Sequence, residues 1–182
     1  MKKFYFAIAF AAIALMTSCT NNYKLAFGLG DDIAKVEELL KGQNIKYKCE
    51  TDDDYTNVKH IKTGDATIDN IEYKSIEASF LDDKVVFMKY NVPEGEKGEK
   101  GNEFISFIKN RFGEPVTTLE QKKNDAPEYY WGDANKTFCI VKRNGGSFIN
   151  KLFNNKVIEV LVGNTDIENP HLSNKIREKC FE

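Results

Sequence analysis

The chain has 182 residues, 41% of them hydrophobic, 30% charged and 12% aromatic. That mixture excludes a wholly disordered chain, and 12 Gly with 4 Pro excludes collagenous or low-complexity sequence. The formal charge of −2 supplies no basic field, so no nucleic-acid partner is expected.

The N-terminus reads as a targeting segment. Lys2 and Lys3 precede 13 consecutive apolar residues, Phe4 to Met16. The run is shorter than the roughly 20 residues of a membrane-spanning helix. It fits the apolar core of a secretory signal. It ends Leu15-Met16-Thr17-Ser18-Cys19, small residues followed directly by cysteine. Over these first 19 residues the chain resembles a bacterial lipoprotein signal peptide, with Met16 where Leu is more usual. The resemblance implies cleavage before Cys19, lipid on the Cys19 thiol and an acyl chain such as palmitate on its new amino group. Several chains, at about 0.8 kcal/mol per buried CH₂, anchor where one binds only marginally. The membrane is then a partner through Cys19. Residues 1–18 are the expected cleaved signal. Residues 19–30 form a lipidated tether of at most roughly 40 Å. Thr20 follows the cysteine and no acidic run does. By analogy with lipoprotein sorting, this implies a cell-envelope location at the outer membrane, facing the periplasm. An ordinary secretory signal with an incidental cysteine is the alternative.

Asp31 to Lys41 predicts a helix, with Ile33, Val36, Leu39 and Leu40 on one face and Gly42 as the stop. Ile45, Tyr47 and Cys49 then alternate as in a half-buried strand. Thr51-Asp52-Asp53-Asp54 reads as a turn, and Asn57 to Lys62 as a strand. Glu72 to Phe80 and the alternating Val86, Met88 and Tyr90 flank Asp82-Asp83 and predict a hairpin. Asn91 to Lys100, with Pro93, Gly95 and Gly98, reads as a flexible loop and an internal boundary.

Asn102 to Phe112 predicts a second helix, stopped by Gly113 and Pro115. Strands follow at Val116 to Glu120, Glu128 to Trp131 and Thr137 to Lys142. A hairpin is expected from Phe148 to Phe153 through Asn154-Asn155 into Lys156 to Val162. In the tail, Leu172, Ile176 and Cys180 are spaced for a short helix. The order is helix then strands, twice, and Ile33, Val36 and Leu40 match Ile105, Ile108 and Phe112 at an offset of 72. The expected fold is α+β, two helices packed on an antiparallel sheet, with a possible tandem repeat. The units are residues 31–90 and 101–164, joined by the 91–100 loop and followed by the 165–182 tail.

The second helix, Arg111-Phe112-Gly113-Glu114-Pro115, Tyr129-Tyr130-Trp131 and the Asn-Asn-Lys hairpin resemble small envelope lipoproteins with helix-plus-meander repeats. The barrel-assembly accessory lipoproteins and the beta-lactamase-inhibitor-protein fold are of this style. The resemblance implies a protein-binding role without enzymatic activity.

Little in the chain points to chemistry. Apart from Cys19, the cysteines are Cys49, Cys139 and Cys180, which allow one disulfide with one thiol left over, or three reduced thiols. No CxxC or zinc spacing occurs, so no metal and no cofactor are expected. The two histidines, His60 and His171, lack motif context, and no Gly-x-Ser-x-Gly occurs. A Cys139–His60 pair is the one hydrolase candidate. Asp52 to Asp54 lacks the pattern of a calcium loop. Gly28-Leu29-Gly30 lacks that of a phosphate loop. In a strand, Tyr129 and Trp131 share one face and Tyr130 the other. Core packing accounts for one face, and the other offers an aromatic recognition surface. The expectation is a membrane-anchored, non-catalytic protein-binding module whose envelope protein partner meets Tyr130, Trp131 and the 91–100 loop. The alternative is a carrier of a lipid, glycan or metal in a pocket between helix and sheet, lined by Phe104 and Phe107.

Overall fold

The computed structural model describes residues 25–95, 98–119, 128–132, 137–144 and 157–164. Helix α1 (Ile33–Gly42) forms where the 3.6-residue periodicity places it, with Val36 and Leu40 buried. Its stop differs from the expected one. Gly42 is the last helical residue, and Asn44 takes the left-handed conformation at φ 55°. The Asn44 amide donates to the Lys41 carbonyl at 3.0 Å and the Ile45 amide to that of Leu40 at 2.8 Å. This double closure is a Schellman motif with Asn in the position usually held by Gly.

The strands are β1 (Tyr47–Thr51), β2 (Val58–Thr63), β3 (Ala66–Ile68), β4 (Ile71–Tyr73), β5 (Ser75–Leu81) and β6 (Lys84–Pro93). Helix α2 (Glu99–Phe112) follows. Then come β7 (Thr117–Leu119), β8 (Glu128–Gly132), β9 (Thr137–Asn144) and β10 (Val157–Asn164). Eight strands make one sheet in the order β1-β2-β5-β6-β10-β9-β8-β7, and every pairing is antiparallel. The fold is α+β. The sheet runs unbroken from the first expected unit into the second through the β6–β10 pair.

Both helices lie on one face. Val36 and Leu40 of α1 join Phe104, Ile105 and Ile108 of α2 in a single core with Ile61, Ala78, Met88 and Val160 of the sheet. Each large apolar side chain so buried contributes about 1.5–3 kcal/mol. Strands β3 and β4 form a small separate hairpin that adds Ile68, Ile71 and Tyr73 to this core. The sequence reading missed it. Asp69-Asn70 and Asp82-Asp83 both turn with positive φ at the two central residues, the geometry that suits a tight hairpin.

Four boundaries need correction. The segment 91–100 is not one loop: β6 continues to Pro93 and α2 begins at Glu99. Between them Glu94 is buried, with its carboxylate 3.2 Å from Arg143 on β9. The tether expected over residues 19–30 ends early, because Leu25, Ala26 and Phe27 are buried in the core and Tyr90 Oη donates to the Phe27 carbonyl at 3.3 Å. The hairpin expected between 148–153 and 156–162 finds no open edge, since β10 is paired by β6 on one side and β9 on the other. Residues 145–156 and the 165–182 tail lie outside the described residues. Finally, the expected Val86, Met88, Tyr90 alternation is broken by a bulge. Ser79 pairs with Phe87 but Phe80 pairs with Val85, so Val86 is the extra residue. Val85 and Met88 both reach the helix-side core, and Val86 joins Phe87 on the opposite face.

Candidate functional site: the sheet face away from the helices

Strand alternation sends every second side chain away from the helices. The cross-strand register sorts those side chains into rows. Lys48, Lys62, Glu77 and Lys89 continue into Leu161 and Ile140. Glu50, His60 and Ser79 continue into Phe87, Gly163 and Phe138. The face is therefore polar over β1, β2 and β5 and apolar over β10 and β9, with β6 as the seam. On the apolar side Phe87, Tyr130, Phe138 and Ile140 form a second buried cluster, with Val86 and Leu161 half-buried against it.

A groove of about 640 Å³ runs along this seam, with Phe87, Phe138 and Leu161 on one side and Lys62, Glu77 and Glu159 among its polar walls. Ion pairs hold those walls. Lys62 Nζ lies 3.1 Å from Glu77 and Lys89 Nζ lies 3.0 Å from Glu159. Burial opposes the Lys89 charge, but the hydrogen bond and charge of Glu159 outweigh it and hold the lysine above its ordinary pKa. Gly163 makes the apolar side possible. A Cβ there would stand 2.7 Å from the Phe138 ring and 3.2 Å from that of Phe87.

The polar end of the groove holds an arrangement the sequence reading did not find. His60 Nδ1 is 3.0 Å from Ser79 Oγ, and His60 Nε2 is 3.1 Å from Asp52 Oδ2. His60 and Ser79 are direct cross-strand partners, so register alone brings them together. Asp52 also accepts the amides of Asp54 and Tyr55 at 2.9 and 3.1 Å through Oδ1. The His60 ring first, and those amides next, hold its carboxyl below the usual carboxylate range. The three aspartates at 52–54 thus include a turn former built into the sheet. Chemically, the string can pass a proton from Ser79 towards the imidazole. It also pins the β1–β2 turn onto β5.

The candidates read from sequence fall elsewhere. Tyr130 is 1% exposed and Trp131 3%, so the expected exposed aromatic platform is corrected. Tyr129 and Trp131 do share a face, the helix side, and Tyr130 takes the other. Trp131 Nε1 donates to the Gly113 carbonyl at 2.8 Å, which ties β8 to the end of α2. Both faces of β8 are buried because the second apolar cluster doubles the core at this end of the sheet. Phe104 and Phe107 pack into or against the helix-side core rather than lining the groove. Cys139 is buried on the helix side while His60 faces the groove, with β5, β6 and β10 between their strands. They are no catalytic pair. Cys49 is exposed on β1, with four strands between it and β9, roughly 24 Å at the usual spacing, so it forms no bridge to Cys139. At the start of α1, Asp31 accepts the Gly28 amide at 2.8 Å, taking a position a phosphate would need. Cys19, His171 and Cys180 lie outside the described residues. No described helix is long and apolar enough to cross a membrane. Comparison with family models, curated proteins and solved structures finds no match for the chain.

Proposed function

We propose that this chain is a membrane-anchored envelope lipoprotein that acts as a non-catalytic protein-binding module, with the groove on the sheet face away from the helices as its contact surface. The observation that carries the reading is the composition of that groove. Half-buried Leu161, over a floor of buried Phe87 and Phe138, lies beside paired charges of both signs. Protein interfaces have this anatomy, an apolar centre within a polar rim. The occupant that fits is an envelope protein presenting an apolar side chain flanked by acid and base. Lipid on Cys19 supplies the anchor, and the buried Leu25 leaves a leash of roughly 20 Å.

The sheet order supports a tandem repeat as the origin of the fold. Each unit is a helix followed by four strands of the large sheet, with the β3–β4 hairpin inserted in the first, and the last strands, β6 and β10, pair. Met88 and Tyr90 are core residues, as are Val160 and Val162 at the offset of 72 found between the helices.

A second reading takes the groove as the seat of a small ligand, since about 640 Å³ lies within the range of small-molecule pockets. Its ion-paired walls suit a protein surface better.

The test is site-specific photocross-linking in intact cells. A photoreactive residue at Lys62 or Glu77 should give one near-stoichiometric envelope-protein adduct, and at Lys35 on the exposed side of α1 none. Leu161→Arg should abolish the adduct, and Cys19→Ala should release the chain from the membrane. Equal adducts from Lys35, or an adduct indifferent to Leu161→Arg, would refute the groove as the contact surface. A normally processed, fully bound Cys19→Ala variant would refute the anchor.

A further inference from the structure

We propose that β1 is a self-association edge, on which two copies of this chain pair their β1 strands antiparallel about Cys49 and continue the sheet across a two-fold axis.

The edge is open and long enough. Among the described residues β1 is the last strand of the sheet and is paired only by β2, and it exposes Lys48, Cys49, Glu50 and Thr51. The opposite edge, β7, has three residues.

The outward backbone groups can be named. The Asp52 amide donates to the Val58 carbonyl at 2.9 Å, in register with the β1–β2 pairing. In an antiparallel ladder the bonded side alternates, so residues 48, 50 and 52 bond towards β2. Tyr47, Cys49 and Thr51 therefore turn their N–H and C=O groups outward. Pairing about Cys49 sets Cys49 against the partner's Cys49 and Tyr47 against the partner's Thr51. That arrangement forms about six backbone hydrogen bonds.

The charges select this register. Along the strand, Lys46 and Lys48 precede Cys49, and Glu50 and Asp52 follow it, at matching distances. Antiparallel pairing about Cys49 places Lys48 opposite the partner's Glu50 and Lys46 opposite the partner's Asp52. Centring one residue away brings Lys48 against the partner's Lys48, or Glu50 against the partner's Glu50, which is destabilising. Edge strands that resist pairing carry unbalanced charge, commonly lysine. Here each lysine is matched by an acid. The rest of the groove face shows what is missing: Lys62–Glu77 and Lys89–Glu159 are closed ion pairs, while Lys48 and Glu50 have no ion-pair partner among the described residues. A second copy supplies one for each.

Cys49 reports on the contact without taking part in a redox step. At the axis the two Cys49 Cα atoms stand about 5.5 Å apart, within reach of a short bismaleimide. Burial and the nearby Glu37 charge push the Cys49 thiol up, so labelling belongs at mildly alkaline pH.

The experiment treats the full-length protein in its native membranes with a short bismaleimide. A dimer-sized product is expected, lost in Cys49→Ser and kept in Cys180→Ser. Lys48→Glu and Glu50→Lys should each lower its yield at least about fivefold, because each turns two attractive pairs repulsive. The double exchange Lys48→Glu/Glu50→Lys should restore it. Thr51→Pro removes only an outward donor, so it should abolish the product while circular dichroism stays unchanged. Sedimentation of the detergent-solubilised proteins checks the mass independently of thiol chemistry. A monomer up to about 100 µM, far above the range of specific association, overturns the proposal. So does a product that survives both single charge reversals, or one that requires Cys180 instead of Cys49. Lys48 and Glu50 also line the polar end of the groove, so Thr51→Pro, whose side chain lies on the opposite face of β1, separates loss of self-association from loss of groove binding.

Discussion

Lys89 and Glu159 meet diagonally across the β6–β10 pair, Nζ to Oε2 at 3.0 Å, where the two four-strand stretches of the sheet join. Both are largely covered, with 29% and 17% of their side chains exposed. Losing one member leaves a half-buried charge without its counter-charge, which costs more than the pair contributes. Solvent still screens the site, so Glu159→Gln should lower stability by only about 1 kcal/mol. Lys89→Met/Glu159→Leu should recover most of that loss. Urea unfolding of the three proteins measures it. A Glu159→Gln midpoint equal to the parent's would mean that Lys89 finds a different partner.

Gly163 is constrained by its neighbours rather than by its own backbone. It pairs with Phe87 on one side and Phe138 on the other, and the two rings lie 6.5 Å apart between centroids over it. A Cβ at 2.7 Å from Phe138 forces that ring to move. Gly163→Ala should therefore cost about 1–3 kcal/mol, the usual penalty for overpacking. Gly163→Ala/Phe138→Leu should cost less than Gly163→Ala alone. Thermal unfolding distinguishes them, and an additive pair would place the strain elsewhere.

The parts legible in the sequence are those set by local periodicity. Val36 and Leu40, and Phe104, Ile105 and Ile108, repeat at helical spacing because each helix has a single buried face. Asp82-Asp83 signals its turn by residue type. The β3–β4 hairpin was illegible because each strand has only three residues, too few for alternation to stand out. The exit of Val86 from the helix-side core, with Val85 taking its place, depends on one extra residue in β6, and a bulge has no composition of its own. Trp131 and Tyr130 misled for a different reason. Alternation separates two faces of a strand but does not say that both are buried. The Asp52–His60–Ser79 string spans separations of 8 and 19 residues and exists only through the β1–β2–β5 register. The groove is likewise a property of register.

Two tyrosines set the alkaline limit of the fold. Burial raises the pKa of both Tyr73 and Tyr90 above the ordinary phenol value, and Tyr90 Oη also donates to the Phe27 carbonyl. A group with a raised folded-state pKa stabilises fully below its unfolded pKa, and that contribution is lost as pH rises towards the folded value. Stability should thus fall from about pH 10 upward. Tyr73→Phe/Tyr90→Phe should flatten that decline while losing some stability at neutral pH through the missing Tyr90 hydrogen bond. Denaturant titrations at stepped pH follow both effects. An unchanged alkaline slope in the double variant would assign the limit to the lysines.

The Asp52–His60–Ser79 string separates the binding reading from a hydrolytic one. A working nucleophile needs more than a base within reach; it needs donors for the developing oxyanion. Ser79 lies mid-strand, flanked by His60 on β2 and Phe87 on β6, and no helix N-terminus or loop amide faces it among the described residues of the β2–β5–β6 pairing. The binding reading therefore expects a serine-directed fluorophosphonate to leave the protein unlabelled. An adduct at Ser79, lost in His60→Gln, would overturn it. If the string instead holds the turn, Asp52→Ala should speed hydrogen exchange at the Asp54 and Tyr55 amides, which Asp52 accepts, and Ser79→Ala should not. The same hold should weaken in acid. The Asp52 carboxyl lies below its ordinary range, so its contribution is present above the unfolded value and lost as pH falls through the depressed one. Exchange at those two amides should accelerate, relative to the intrinsic rate, only below about pH 4.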